Sequence, residues 1–486
     1  MMSEAPKRAE DVCDITIASP YTQLDVGEGL PLYTGPMEIK GGTQTFSGTG
    51  TLTLALKGDP RIEFSISSAN RVLPAMLNEP DPTIHLPDLK STGAVHVQRA
   101  TSALGLSGVA SSMGGVLGGA GIEYSKQTAE GKPESIGRVI FHLLNFPDFV
   151  GTDTHELARK DLPAGTNHPY RGRAVFEFGK WTVTLDKRRD VADKLKAAHA
   201  EHSYTFTHTG TLRRTDGKLF SPEDAKKALE PLSWFFSFAR GARCGCVLPT
   251  GYRHLEEPLW QWWQSPYTAP ARSCNTWFSE RTPDKCFRAA TAFAERWQDN
   301  GKRKWLKLGI GLYCVSNQSG RGNVELQLAE SQIALELLTC VAFLEENSLM
   351  SEKAFENLSA ADKVRVLLFW LGTPTVIPDK YGELNNYIQA NKSRMSIADA
   401  PEVVTEIRNA IIHPTKSNRE KREKIDDVAV YEAWQLNMWY VELALLKLIG
   451  YSGPYTNRTL TQFAGSVHPL PWTPTEVYNS LQLKAL

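Results

Sequence analysis

Arg408, Asn409 and His413 stand within five residues of one another in the stretch E-I-R-N-A-I-I-H-P-T-K-S-N-R-E-K, residues 406–421. These residue types suit one reaction in particular, cleavage of RNA by its own 2′-hydroxyl. That reaction needs a base to take the 2′-OH proton, an acid to protonate the departing oxygen, and a cation to steady the charged phosphorus centre. Histidine exchanges protons near neutral pH. Arginine grips phosphate oxygens with a planar fork that never deprotonates. No metal or other cofactor is required, and no metal-ligating cluster emerges from the sequence. Lys416, Arg419, Lys421 and Arg422 follow within nine residues of His413, with Lys424 just beyond, a local basic strip suited to RNA phosphates.

A helix must carry the motif. Asp399, Ala400 and Pro401 read as its start, and Val403, Val404, Ile407, Ala410 and Ile411 recur at helical spacing as its buried stripe. Asn409 and His413 then share a face, one turn apart. Arg408 points about 140° away on a regular helix. One copy therefore converges poorly on a single phosphate, which favours a site completed by a second subunit across a twofold axis. A purely structural reading also fits: His413 caps helix carbonyls at the dipole's negative end, and Arg408 pairs with Glu330 or Glu336.

The bulk properties set the frame. A chain of 486 residues exceeds what one core usually serves, and 41% hydrophobic with 22% charged residues supports folded domains. Lys+Arg 54 against Asp+Glu 54 gives no global pull toward nucleic acid or membrane. The N-terminal stretch 1–14 has no apolar core, which argues against a secretory signal or membrane anchor and for a cytoplasmic protein. Seven cysteines without paired CxxC spacing fit a reducing compartment. Cys244 and Cys246 form the one close pair and read as small buried strand residues more readily than as half of a zinc site.

The expected fold class is α+β and multidomain. Residues 1–215 form a β-rich, sandwich-like sensor or regulatory domain, 216–322 a mixed, tryptophan-rich connecting region, and 323–486 an all-α bundle. Hairpins are expected from the alternation at Leu52, Leu54, Leu56 against Ile62, Phe64, Ile66, and at Ala174–Phe178 against Trp181–Leu185. A helix is expected at 191–201 and another behind Ser221-Pro222. The uncharged, glycine-rich run 101–122 reads as a flexible loop or small-residue packing segment, and Asn300–Lys304 as a solvated basic loop. The tryptophans from Trp234 to Trp305 read as core before they read as a stacking surface.

R-N-A-I-I-H-P at 408–414, behind an apolar helix and ahead of a long final one, resembles the Arg-x4–6-His signature of HEPN domains. The first bundle helix, A-E-S-Q-I-A-L-E-L-L at 329–338, resembles its counterpart in ApeA-type anti-phage proteins. I-G-R-V-I-F-H-L-L-N-F-P-D-F at 136–149 is similar to a stretch of their N-terminal regions. The resemblance implies a dimeric, metal-independent endoribonuclease that cuts RNA, often tRNA, once infection is sensed. It implies His413 for proton transfer, Arg408 for phosphate stabilisation, Asn409 for orientation and Glu336 as an accessory group. Its implied partners are RNA, a phage-derived trigger (protein or nucleic acid) at the N-terminal region, and a second copy of the chain. Two further readings compete: a non-catalytic recognition protein whose bundle only dimerises, and a membrane-acting effector using the glycine-rich run.

Overall fold

The computed structural model describes residues 17–21, 25–69, 81–105, 108–151, 153–158, 167–254, 257–318, 323–413, 415–461, 463 and 465–474. The stretch 1–14, Pro414 and the centre of the glycine-rich run, 106–107, lie outside them. The chain divides into two compact units. The first takes 1–148, 152–233 and 244–271; the second takes 149–151, 234–243 and 272–486. The tryptophan-rich middle region is thus shared between a β-rich unit and a helical one.

In the first unit, six strands close on themselves: β1 (Leu30–Gly41), β2 (Gln44–Ala55), β3 (Arg61–Ser68), β4 (Thr83–Leu86), β5 (Ser91–Gly105) and β6 (Gly108–Leu117). Their order is β1-β2-β3-β6-β5-β4, with β1 pairing back onto β4. The first hairpin has the register the alternation implies, Leu52 facing Phe64 and Leu54 facing Ile62. All four are buried inside the barrel. The expected sandwich is therefore corrected to a barrel plus a separate sheet. Of the two readings of the glycine-rich run, the flexible loop is corrected and small-residue packing stands: most of the run lies in β5 and β6. Closing a small barrel bends strands until their backbones nearly touch, and only glycine tolerates that approach. A Cβ on Gly48 would lie 2.0 Å from the Ser67 carbonyl oxygen, and one on Gly115 would lie 2.0 Å from that of His96.

The remaining strands are β7 (Ile122–Ser125), β8 (Arg138–Leu144), β9 (Asp153–Ala158), β10 (Asn167–Phe178), β11 (Trp181–Lys187), β12 (Phe206–Arg214), β13 (Cys246–Tyr252) and β14 (Trp260–Trp263). They form one open antiparallel sheet in the order β7-β14-β13-β8-β12-β11-β10-β9. The hairpin at Gly179-Lys180 places Phe178 opposite Trp181, as read from the alternation. Leu144, Phe206 and Trp263 of the sheet join Leu54, Phe64 and other barrel residues in one core. Two helices interrupt the strands, α1 (Val191–Glu201) and α2 (Pro222–Arg240). Ser221 caps α2 reciprocally: its Oγ accepts from the Asp224 N–H at 3.1 Å, and the Asp224 carboxylate accepts from the Ser221 hydroxyl at 2.8 Å.

The second unit holds α3 (Pro283–Phe287), α4 (Ala289–Trp297), α5 (Asn300–Gln318), α6 (Val324–Cys340), α7 (Glu352–Glu356), α8 (Ala360–Leu371), α9 (Gly382–Asn391), α10 (Ala400–Ile412), α11 (Lys416–Arg422) and α12 (Asp427–Leu448). The basic loop expected at 300–304 is instead the first turn of α5, capped by Asp299, whose carboxylate accepts from the Gly301 and Lys302 N–H groups at 2.8 and 3.2 Å. Trp277, Trp297 and Trp305 are buried, so in this unit they serve as core. Helix α12 is buried nearly all round, which explains its apolar surface. Helix α6 continues into a π-helical stretch, Val341–Glu346. Among the described residues Val324–Glu346 alone is long and apolar enough to cross a membrane, and 61% of its most apolar window is buried inside the protein.

The charge inside α12 is compensated locally. Glu442 is fully buried and meets the Arg458 guanidinium at 3.0 and 2.5 Å. The Tyr313 hydroxyl donates to the same carboxylate at 2.7 Å. Burial pushes the Glu442 carboxyl up while Arg458 pulls it down.

Candidate functional site

Helix α10 is held at both ends by its own sequence. At its start Asp399 accepts from the Glu402 N–H at 3.0 Å and receives two guanidinium bonds from Arg365 of α8, at 2.8 and 2.9 Å. Along its length Val403, Val404, Ile407 and Ala410 of the stripe read from the sequence are buried, while Ile411, the fifth, is half-buried. It packs against α6, α8 and α12. Its last residue is Ile412. His413 leaves the helix with φ −96° and ψ 109°, the extended conformation that a following proline imposes, while its N–H still donates to the Asn409 carbonyl at 3.2 Å.

This arrangement removes part of the geometric difficulty with Arg408. Its Nη1 donates to the Asn409 side-chain oxygen at 3.1 Å, so the guanidinium is drawn around the helix toward the face that leads to His413. Arg408 is half-buried and makes no ion pair with Glu330 or Glu336, which sets aside the pairing that the structural reading required. Its Nε is buried with no hydrogen-bond acceptor among the described residues. Such a donor is costly to leave unmet, and an incoming phosphate oxygen would meet it. His413 is exposed, and its imidazole makes no hydrogen bond to a described residue. Glu336 is half-buried on α6, and no hydrogen bond or ion pair joins it to the motif.

The basic strip is more ordered than expected. Residues 416–422 form α11, capped by the Thr415 hydroxyl, which accepts from the Asn418 N–H at 3.3 Å. Arg422 and Lys421, two of the four proposed RNA-binding cations, are tied to acidic residues outside α11. Arg422 binds Glu325 at 2.6 Å and Asp427 at 2.5 Å, and Lys421 binds Glu406. Lys416 and Arg419 remain at the surface, Lys416 with its side chain 86% exposed and 3.8 Å from Glu420.

Sequence reasoning missed Glu406 as the organiser of this corner. It lies two turns before His413 on the same helical face. Its carboxylate takes the Lys421 ammonium of α11, the Arg394 guanidinium at 2.7 Å and the Tyr387 hydroxyl of α9 at 3.2 Å. Burial, with Glu406 beside it, pushes the Tyr387 phenol up to about 12, so it remains a donor. An acidic residue at i−7 from His413 was the available signal. Its partners come from segments that no local pattern connects.

The family models that match the chain are the YopA central domain, over residues 131–274, and the YopA C-terminal domain, over residues 299–468. The motif and α11 fall inside the second match. A curated relative is the SPbeta prophage-derived uncharacterized protein YopA of Bacillus subtilis (strain 168), 26% identical over 471 residues, with 94% of this chain and 98% of that protein covered. No solved structure matches the chain.

Proposed function

We propose that the helical unit is a HEPN-type endoribonuclease and that the β-rich unit restrains it until a phage product is sensed. The observation that carries this reading is the Arg408 guanidinium, held by Asn409, with a buried Nε that lacks an acceptor among the described residues, on the helix that ends at an exposed His413. In the reaction, a histidine takes the 2′-OH proton, the 2′-oxygen attacks the adjacent phosphorus, and the bond from phosphorus to the 5′-oxygen breaks. The departing oxygen takes a proton from a second histidine. The products are a 2′,3′-cyclic phosphate and a 5′-hydroxyl end. Arg408 offsets the charge that builds on the phosphorane oxygens. The exposed His413 suits the second proton transfer to the same residue of a second copy, so the active form in this reading is a homodimer. Lys416 and Arg419 guide the phosphate backbone toward it.

The phage connection draws on the relative, whose name places it in a prophage. The test is RNA integrity in cytoplasmic extracts of bacteria expressing the wild-type chain or His413→Ala, with and without phage. Infection-dependent RNA fragments that need His413 are the expected result. Intact RNA in cells that the protein still protects would instead favour a recognition protein whose bundle only dimerises.

A further inference from the structure

The open sheet of the first unit sets two arginines side by side. Strands β8 and β12 run antiparallel with Val139 opposite Leu212, so Arg138 and Arg213, one residue further along each, are cross-strand neighbours. Tyr252 of β13 pairs with Arg138 on one side, and Thr182 of β11 pairs with Arg213 on the other. Tyr252, Arg138, Arg213 and Thr182 therefore form one row across four strands, on one face of the sheet. Like charges directly opposite one another destabilise a sheet. Two nearby arginines are each met by a carboxylate: Arg173 donates to both oxygens of Asp186 at 2.7 Å, and Arg214 to both oxygens of Asp216 at 2.8 and 2.5 Å. Arg138 and Arg213 have no such partner among the described residues, and the Arg138 Nε is buried without an acceptor there. The Arg138 guanidinium lies over the buried Tyr252 ring, 5.4 Å from its centroid. Burial, with the Arg213 charge beside it, pulls the Arg138 pKa down. Arg138 is half-buried and Arg213 exposed, so the pair is reached from solvent on the Arg213 side.

We propose that Arg138 and Arg213 form a binding site for a phosphate dianion, either inorganic or at the end of a small organic phosphate. The pair carries two positive charges. A carboxylate cancels one of them, whereas a phosphate monoester carries close to two negative charges. Its three free oxygens accept from both guanidinium forks at once, where a carboxylate has only two to share. Neighbouring strands lie about 4.8 Å apart, so one phosphate bridges both side chains. Tyr252 steadies Arg138 through its ring face and leaves the guanidinium donors for the ligand. Binding turns a repelling pair into a neutral cluster, and it stabilises the folded unit by mass action.

The experiment is calorimetric titration of the full chain with inorganic phosphate and with uridine monophosphate, at about pH 8 so that both are dianions, and at constant ionic strength with chloride as the screening control. Both phosphates should bind and raise the melting temperature, and chloride should do neither. Arg213→Gln should weaken phosphate binding about tenfold or more through the loss of charge-assisted hydrogen bonds. Arg213 is exposed, and an unchanged or raised melting temperature in chloride shows that this variant folds. Arg213→Lys should bind between the wild type and the glutamine variant, because the ammonium keeps the charge and loses the fork. Arg189→Gln, which removes an exposed arginine outside the row, should bind as the wild type does. Tighter binding of uridine monophosphate than of phosphate supports a site for an organic phosphate, and equal binding supports a site for the phosphate group alone. No binding of either by the wild type, equal affinity in the wild type and Arg213→Gln, or an equal loss in Arg189→Gln would overturn the proposal.

Discussion

At the scale of single residues, the account depends on three side chains near one helix end. His413→Ala should lower RNA cleavage about 10²- to 10⁴-fold, the range of a positioned proton-transfer group, with an unchanged circular dichroism spectrum. Arg408→Lys should also cost activity, because an ammonium keeps the charge but cannot both bond Asn409 and fork toward phosphate. Initial rates on a labelled RNA check both, and full activity in either removes that residue from the mechanism. Two other histidines matter for stability. His142 and His208 of the sheet are buried, and burial pushes them down to about 4 and about 3. His142 is packed edge-on by Tyr21 and Phe206, with the Ser19 hydroxyl 2.8 Å from its Nε2. The folded pKa lies below the unfolded value near 6.5, so the unfolded chain binds the proton first. The stability that neutral His142 confers is complete above pH 6.5 and is lost as pH falls from there to about 4, up to about 3 kcal/mol. His142→Gln should flatten acid unfolding between those values in urea titrations at stepped pH. An identical pH profile in the variant would contradict this.

At the scale of elements, α10 shows what a sequence discloses and what it conceals. Its cap at Asp399, its buried stripe and its end before Pro414 were all legible, because each depends on residues within one or two turns. The short helix α11 was not legible. Its residues are polar all round, and Lys421 and Arg422 order it through Glu406 and Glu325, partners 15 and 97 residues away. The barrel was hidden for a similar reason: alternation identifies strands but not whether β1 returns to β4, and the glycines at 114 and 115 read equally as a loop or as small-residue packing, of which the structure has the second. Asp399 also joins two elements, capping α10 and pairing with Arg365, which is 18% exposed against 10% for Asp399. Asp399→Ala should destabilise the helical unit by about 1–2 kcal/mol from the lost cap, and by somewhat more because Arg365 loses two of its bonds while keeping Asp362 and Glu402. Asp399→Asn should recover the cap alone. Equal denaturant midpoints for the alanine and asparagine variants would show that the cap contributes nothing.

At the scale of the molecule, the chain forms two compact units: a barrel with a broad sheet, and a helical bundle that carries the motif. The bundle closes around Glu442 and Arg458, a pair that ties the segment after α12 to that helix and to Tyr313. Arg458→Met leaves a buried carboxylate without its cation, and should cost about 3–5 kcal/mol in urea unfolding. Adding Glu442→Leu should restore much of it, and a double variant as unstable as the single would contradict that account. The central claim is tested most directly by incubating the purified chain with an end-labelled RNA in EDTA, wild type beside His413→Ala, and identifying the new ends. The account predicts 2′,3′-cyclic phosphate and 5′-hydroxyl ends from the wild type alone. Ends that appear equally with His413→Ala, or cleavage that EDTA abolishes, would contradict it.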